Sequence, residues 1–240
     1  MEITPLGDSA LIVRVRDRFE DAPEETLNEV LYVLGRLETA RIPGVIELAS
    51  AYTNVALFFD PVAVANAGAK SDQAFDWLAQ RVRAIVVPRL RDDPGRPATL
   101  PARLVEVPVC YDREFAFDLE RVARHAQIST KEVIDLYRAA SYRVSCLGFT
   151  PGFPFLTGLP RKLVTPRQAT PRKQIPAGSV AIGGAQTGIY PQQSPGGWNV
   201  VGRTPLQLFD PKKNPPTLLR VGDRVRLRLI DRTEFERSIM

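Results

Sequence analysis

Eight basic side chains and no acidic one fall between Leu136 and Phe209: Arg138, Arg143, Arg161, Lys162, Arg167, Arg172, Lys173 and Arg203. The whole chain has 32 basic and 27 acidic residues, so everything outside this stretch carries 24 against 27. The positive excess therefore sits in one segment. Ten of the sixteen glycines lie there too, from Gly148 to Gly202. Arginines among glycines, with no carboxylate nearby in sequence, suit a small anionic ligand. Arg172 and Arg203 are the candidates for gripping a carboxylate or phosphate with the two prongs of a guanidinium. A solvated side chain on a barrel strand is the alternative for each.

Two clusters could shape such a site. GFTPGFPF (148–155) sets two glycines and two prolines among three phenylalanines, which reads either as an apolar wall beside a ligand or as a packed barrel corner. QTGIYPQQSPGGW (186–198) gathers hydroxyls, amides, Tyr190 and Trp198 around three glycines, a set able to orient a small polar molecule.

Other chemistries are poorly provided for. His125 is the only histidine and sits on a charged helix, where a surface position is expected. Cys110 and Cys146 have neither metal-ligand spacing nor a histidine partner, so no metal site is expected, and Cys146 reads as a buried inert thiol. G-x-x-x-x-G-K-[ST] is absent, and Gly183-Gly184 is not part of G-x-G-x-x-G before a helix. Hydrolysis needs a base, a nucleophile or a metal. Either Glu106, Asp112 or Glu114 folds back onto the segment, or another chain supplies the chemistry; the second is the expectation.

The elements that must position these residues are legible in outline. Residues 9–15 alternate as a strand, with one more expected at ITPLG. Pro23, Glu24 and Glu25 open a helix with Leu27, Val30, Leu31, Leu34 and Leu37 on its apolar face. VIELASAY and NVALFFD form a hairpin, and Ser71 caps a helix carrying Phe75, Leu78, Val82 and Ile85. This predicts a small N-terminal α/β sandwich over residues 1–88. A proline-rich linker follows at 89–102. The second domain, 103–240, begins with the strand LVEVPVCY and two helices, the later one boxed by Ser129 and Glu132. YRVSCLGF, GSVAIGG, TGIYP, WNVVG, PLQLFD and DRVRLRLI then read as short strands of an antiparallel barrel, and RTEFERSIM as a frayed tail. The fold class is α+β.

Composition fits a soluble globular protein, with 44% hydrophobic and 25% charged residues. The basic residues form no run, which argues against nucleic acid. Neither a signal peptide nor a membrane span is evident, and a cytoplasmic location is expected.

GFTPGFPFLTGLP, TPR, IPAGSVAIGGAQTGIYPQQSPGGWNVVGRTP and LLRVGDRVRL together resemble the family of 5-oxoprolinase B subunits, also named the kinase-inhibitor or allophanate hydrolase subunit 1 family. The resemblance implies a cyclophilin-like barrel behind a smaller α/β domain. It implies work with the C-type and A-type subunits of 5-oxoprolinase, ATP as co-substrate of the complex, and cleavage of 5-oxo-L-proline to L-glutamate. Alternatives within the resemblance are a histidine-kinase inhibitor and a component of a biotin-dependent urea or allophanate carboxyltransferase system. The substrate-binding set it suggests is Phe149, Gly152, Phe153, Arg172, Gln186, Thr187, Tyr190, Ser194, Gly196, Gly197, Trp198, Arg203 and Thr204. One departure is Tyr137, which stands where the family leads one to expect histidine.

Overall fold

The computed structural model describes residues 1–70, 73–92 and 102–239, in two compact units, Met1–Pro101 and Ala102–Met240. In the first unit the order is β1 (Glu2–Pro5), β2 (Ala10–Arg14), α1 (Pro23–Ala40), β3 (Val45–Ala51), β4 (Asn54–Phe59), α2 (Pro61–Asn66) and α3 (Ala74–Asp92). The strands pair antiparallel as β1-β2-β4-β3. Leu11, Val13, Val55 and Leu57 from the sheet share one buried core with Val30, Val33 and Leu37 of α1 and Leu78, Val82 and Val86 of α3. Strand alternation and helix periodicity thus point their apolar faces at each other, giving the expected two-layer sandwich. The short α2 is an addition, capped by Asp60, whose Oδ1 accepts from the Val62 and Ala63 N–H groups. Ser71 lies outside the described residues. Helix α3 runs to Asp92, into the stretch expected as linker, while 93–101 lie outside the described residues.

The second unit contains β5 (Leu104–Cys110), α4 (Leu119–Ala126), α5 (Thr130–Ala139), β6 (Tyr142–Leu147), β7 (Pro154–Thr157), a 3₁₀ turn (Arg161–Leu163), β8 (Arg172–Ile175), β9 (Ser179–Gly183), β10 (Gln186–Ile189), β11 (Ser194–Gly196), β12 (Asn199–Arg203), β13 (Arg224–Ile230) and α6 (Arg232–Ile239). Seven strands follow one another as β6-β13-β5-β12-β9-β10-β7, and β7 pairs back onto β6, closing a barrel. Every pairing is antiparallel except β13 with β5, which is parallel. β8 and β11 form a separate two-stranded ribbon. The capping box predicted at Ser129 and Glu132 is present.

Two expectations are corrected here. PLQLFD is not a strand, apart from an isolated bridge between Phe209 and Thr217. RTEFERSIM is not a frayed tail but α6, held because Phe235 is buried against Cys110, Ile230 and Phe115.

The barrel core takes in Leu119, Val122 and Val133 from α4 and α5, with Val144, Leu156, Val180 and Ile182 from the strands. Tyr137 lies in it, fully buried. Thr187 Oγ1 donates to the Ala181 carbonyl at 2.8 Å, so in its hydrogen bond with the Tyr137 hydroxyl the phenol is the donor. Burial raises the Tyr137 pKa, which keeps that proton in place. The Tyr142 hydroxyl donates in turn to the Tyr137 carbonyl at 2.7 Å. Position 137 therefore ties α5 to the barrel interior. Tyr137→Phe is expected to lower unfolding stability by about 1 kcal/mol through loss of one buried hydrogen bond, as read from urea midpoints at unchanged m-value.

Candidate functional site

A cavity of about 350 Å³ opens on one side of the barrel, walled by Phe149, Phe153, Phe155, Tyr190 and Trp198 and edged by Arg167, Gln168 and Gly196-Gly197. The rings interlock. Phe153 meets Tyr190 and Trp198 edge-on, with centroids 5.1 and 5.6 Å apart, and Phe149 stands at 80° to Phe153. Phe153 is 2% exposed and Phe149 65%, so the wall runs from a packed floor to an open lip. Phe149 is at the lip because a tight turn puts it there: its φ is +67°, and the Phe153 N–H reaches back to the Thr150 carbonyl at 3.0 Å. A non-glycine residue in left-handed backbone is uncommon and tends to mark a functional loop.

The glycines serve these rings. A Cβ on Gly183 would stand 2.5 Å from Trp198 Nε1, and one on Gly188 2.8 Å from Phe153 Cε1. The absent side chains are therefore the space the indole and phenyl groups occupy. Tyr190 is deeply buried, and burial pushes its phenol up to about 12, so it faces the cavity as a neutral group.

The electrostatics centre on Asp118, which is 4% exposed at the entry to α4. Both its oxygens are met by Arg172, Nη2 to Oδ1 at 2.7 Å and Nη1 to Oδ2 at 2.8 Å. Gln168 Nε2 donates to Oδ1 at 2.9 Å and the Val200 N–H to Oδ2 at 2.8 Å. The loop carrying Gln168 is also tied to the cavity edge by the Gln168 N–H, which donates to the Gly197 carbonyl at 2.7 Å. Between these anchors and the barrel, Arg167 is carried over the Trp198 ring, 5.5 Å from its centroid. Arg167 is exposed, and among the described residues no carboxylate pairs with it. The site thus offers aromatic faces for a flat apolar body and one cation for an anion.

Of the residues expected from sequence, Phe149, Phe153, Tyr190, Gly196, Gly197 and Trp198 come together on this cavity. The others do not line it. Arg172 is spent on Asp118. Thr187 is in the barrel core. Gly152 packs against Phe209 and Leu208, where a Cβ would sit 2.8 Å from Phe209 Cβ. Gln186 stands on β10 opposite Gly183, and Ser194 on β11 opposite Ile175. Arg203 and Thr204 line a different cavity. The expected set left out Asp118 and Gln168 altogether, and also Phe155 and Arg167, although Phe155 belongs to the aromatic cluster and Arg167 to the basic segment picked out in the sequence. Of the acids considered from sequence, Glu106 pairs with Arg226 and Glu114 with Arg232. Asp118 is the one that folds back, because its oxygens meet the Arg172 guanidinium and the Val200 N–H.

His125 is exposed, and burial raises the pKa of both Cys110 and Cys146, which suits inert thiols. Among the described residues no group of three or more His, Cys, Asp or Glu could hold a metal ion, and no helix is long and apolar enough to cross a membrane.

The profile of the carboxyltransferase domain, subdomain C and D, matches residues 1–219. Over 235 residues the chain is 41% identical to the 5-oxoprolinase B subunit of Bacillus subtilis (strain 168), covering 98% of this chain and 95% of that one. The crystal structure of TTHA0988 superposes with a TM-score of 0.75 at 35% identity; the match covers 92% of this chain and 40% of that longer one. Urea amidolyase of K. lactis shares the fold at 17% identity and a TM-score of 0.71, over 98% of this chain and 15% of that one.

Removing the carboxylate at the centre of the site should cost stability before it costs anything else. Asp118→Ala leaves the Arg172 fork without its acid. A loss of about 2–3 kcal/mol is expected, below the range for a fully buried pair because Arg172 is 34% exposed. Urea unfolding of the variant beside Asp118→Asn checks this, with the amide retaining part of the loss.

Proposed function

The chain belongs to the carboxyltransferase-domain family, subdomains C and D, and on that footing we propose that it is the B subunit of an ATP-dependent 5-oxoprolinase. Together with the A-type and C-type subunits, it opens the lactam of 5-oxo-L-proline to L-glutamate. The observation that carries this reading is the aromatic cavity with Arg167 at its edge. A five-membered lactam has a flat face to lay against the aromatic wall, and its carboxylate suits a guanidinium. Near full-length similarity to a protein that bears this name supports it.

The cavity edge carries no Asp, Glu, His or Cys among the described residues. The general base, the phosphoryl chemistry and the nucleotide are therefore assigned to the partner chains, and this chain to binding and orienting the lactam. The glycines of the segment do not argue for ATP here, since Gly183 and Gly188 are occupied by rings. The cytoplasm, which supplies ATP, is the compartment this reading gives the complex. A second reading, carboxyl transfer to a urea-like amide, is favoured by the family's description and by 28% identity over 130 residues to a putative urea carboxylase of Emericella nidulans. It would show as dependence of the assembled complex on bicarbonate and a biotin carrier.

Co-expression with the A-type and C-type subunits, assaying glutamate from 5-oxoproline with and without ATP, tests the proposal. Purified alone, the chain is expected to be inactive. In the complex, Arg167→Ala should raise KM roughly 10–100-fold with kcat little changed, as for a contact made equally in ground and transition states. Turnover by the isolated chain, or a complex indifferent to Arg167, would overturn the assignment.

A further inference from the structure

A second cavity of about 590 Å³ lies on the same unit and shares no lining residue with the first. Arg203 of β12 projects into its lining. The Arg203 Nε donates to the Ala177 carbonyl at 2.8 Å, which fixes the side chain and leaves the four Nη protons without a protein acceptor among the described residues. Phe115 and Phe235 pack on each other with centroids 4.4 Å apart and lie on one side of the guanidinium, 6.0 and 5.8 Å from Cζ. The cation is half-buried with a ring pair on one side, yet no carboxylate among the described residues pairs with it, and no Asp or Glu among them lines the cavity. This contrasts with Arg172 on the ribbon, whose fork is filled by Asp118. Around Arg203 the lining offers the side-chain amides of Gln192, Gln193 and Gln207, with Phe209 and Ile239 as apolar surface.

We propose that this cavity is a binding site for carboxylate-bearing amides, from N-acyl amino acids to short peptides. A planar carboxylate matches the two free Nη groups in a fork-to-fork pair. Glutamine amides both donate and accept, which suits a ligand amide rather than a second charge. The volume falls in the range of small-molecule pockets and exceeds what a single carboxylate fills. The site does not depend on the substrate assigned to the aromatic cavity, since the two share no lining residue.

The test uses the full chain and two near-isosteric probes, N-acetylglycine with a carboxylate and N-acetylglycinamide with a neutral amide in its place, with inorganic phosphate as a third. Titration is followed by NMR of the arginine Nε–H and glutamine amide signals, assigned with Arg203→Lys and Gln193→Ala. N-acetylglycine should give saturable shifts at Arg203 and at least one of the three glutamines, with a dissociation constant on the order of 1 mM. The neutral amide should give none. Arg203→Lys, which keeps the charge and loses the fork, should bind roughly tenfold more weakly, with backbone signals elsewhere unmoved. Absence of saturable shifts would overturn the proposal, as would equal response to N-acetylglycinamide or to phosphate. Failure of the 5-oxoprolinase reading would instead appear in the co-expression assay, which this titration does not use.

Discussion

A carboxylate taken out of water must have its oxygens filled, and Asp118 meets that demand with four donors drawn from three places in the chain. Arg172 comes from the ribbon, Gln168 from the loop before it and the Val200 N–H from a barrel strand. Satisfying one buried charge therefore fixes the mutual position of a helix entry, a loop and two sheets. Asn199 extends the arrangement, its Nδ2 donating to the Pro166 and Ile182 carbonyls at 3.0 and 3.1 Å. The loop from Pro166 to Pro171 has no regular structure, yet it is pinned at Pro166, at Gln168 and through Arg172. Arg167 is the residue left over, directed outward because its neighbours are directed inward.

This pinning changes what the positive segment means. Arg172 is neutralised, and Arg143 is 3% exposed with its Nε donating to the Gly222 carbonyl at 3.2 Å. A charge count along the sequence treats all eight cations alike. In the fold only some of them remain available to an external anion, and Arg167 and Arg203 are two that face cavities.

Periodicity made both units legible, because sandwich strands, amphipathic helices and the Ser129 capping box are local patterns. The aromatic cavity was half legible: the rings and glycines cluster in sequence, and their chemistry announces a wall. What sequence could not convey was partnership across distance. Asp118 lies 54 residues before Arg172, at the end of an unremarkable FAFD. Thr187 and Tyr137, 50 residues apart, look like a polar contact and an odd substitution, and together they are one hydrogen bond inside the barrel. The α6 segment misled for a related reason, since a charged terminal stretch with a single Phe235 looks unanchored until Phe115 is brought beside it. Glycine was ambiguous in its own way. The same residue frees a backbone for a ligand or makes room for a neighbouring ring, and only packing around Gly183 and Gly188 decides.

The parallel pairing of β13 with β5 has a consequence for how the chain becomes a protein. Leu104 sits beside Arg224, and the Arg103–Asp223 ion pair next to that register spans 120 residues. β13 lies between β6 and β5 in the barrel, so the ring cannot close on either side until that strand has emerged from the ribosome. Earlier strands can form hairpins such as β9 with β10, but their common core waits on a late, long-range closure. During synthesis the edges of β5 and β6 stay open to other chains, and folding in the cell becomes a race between completion of this unit and its capture in aggregates.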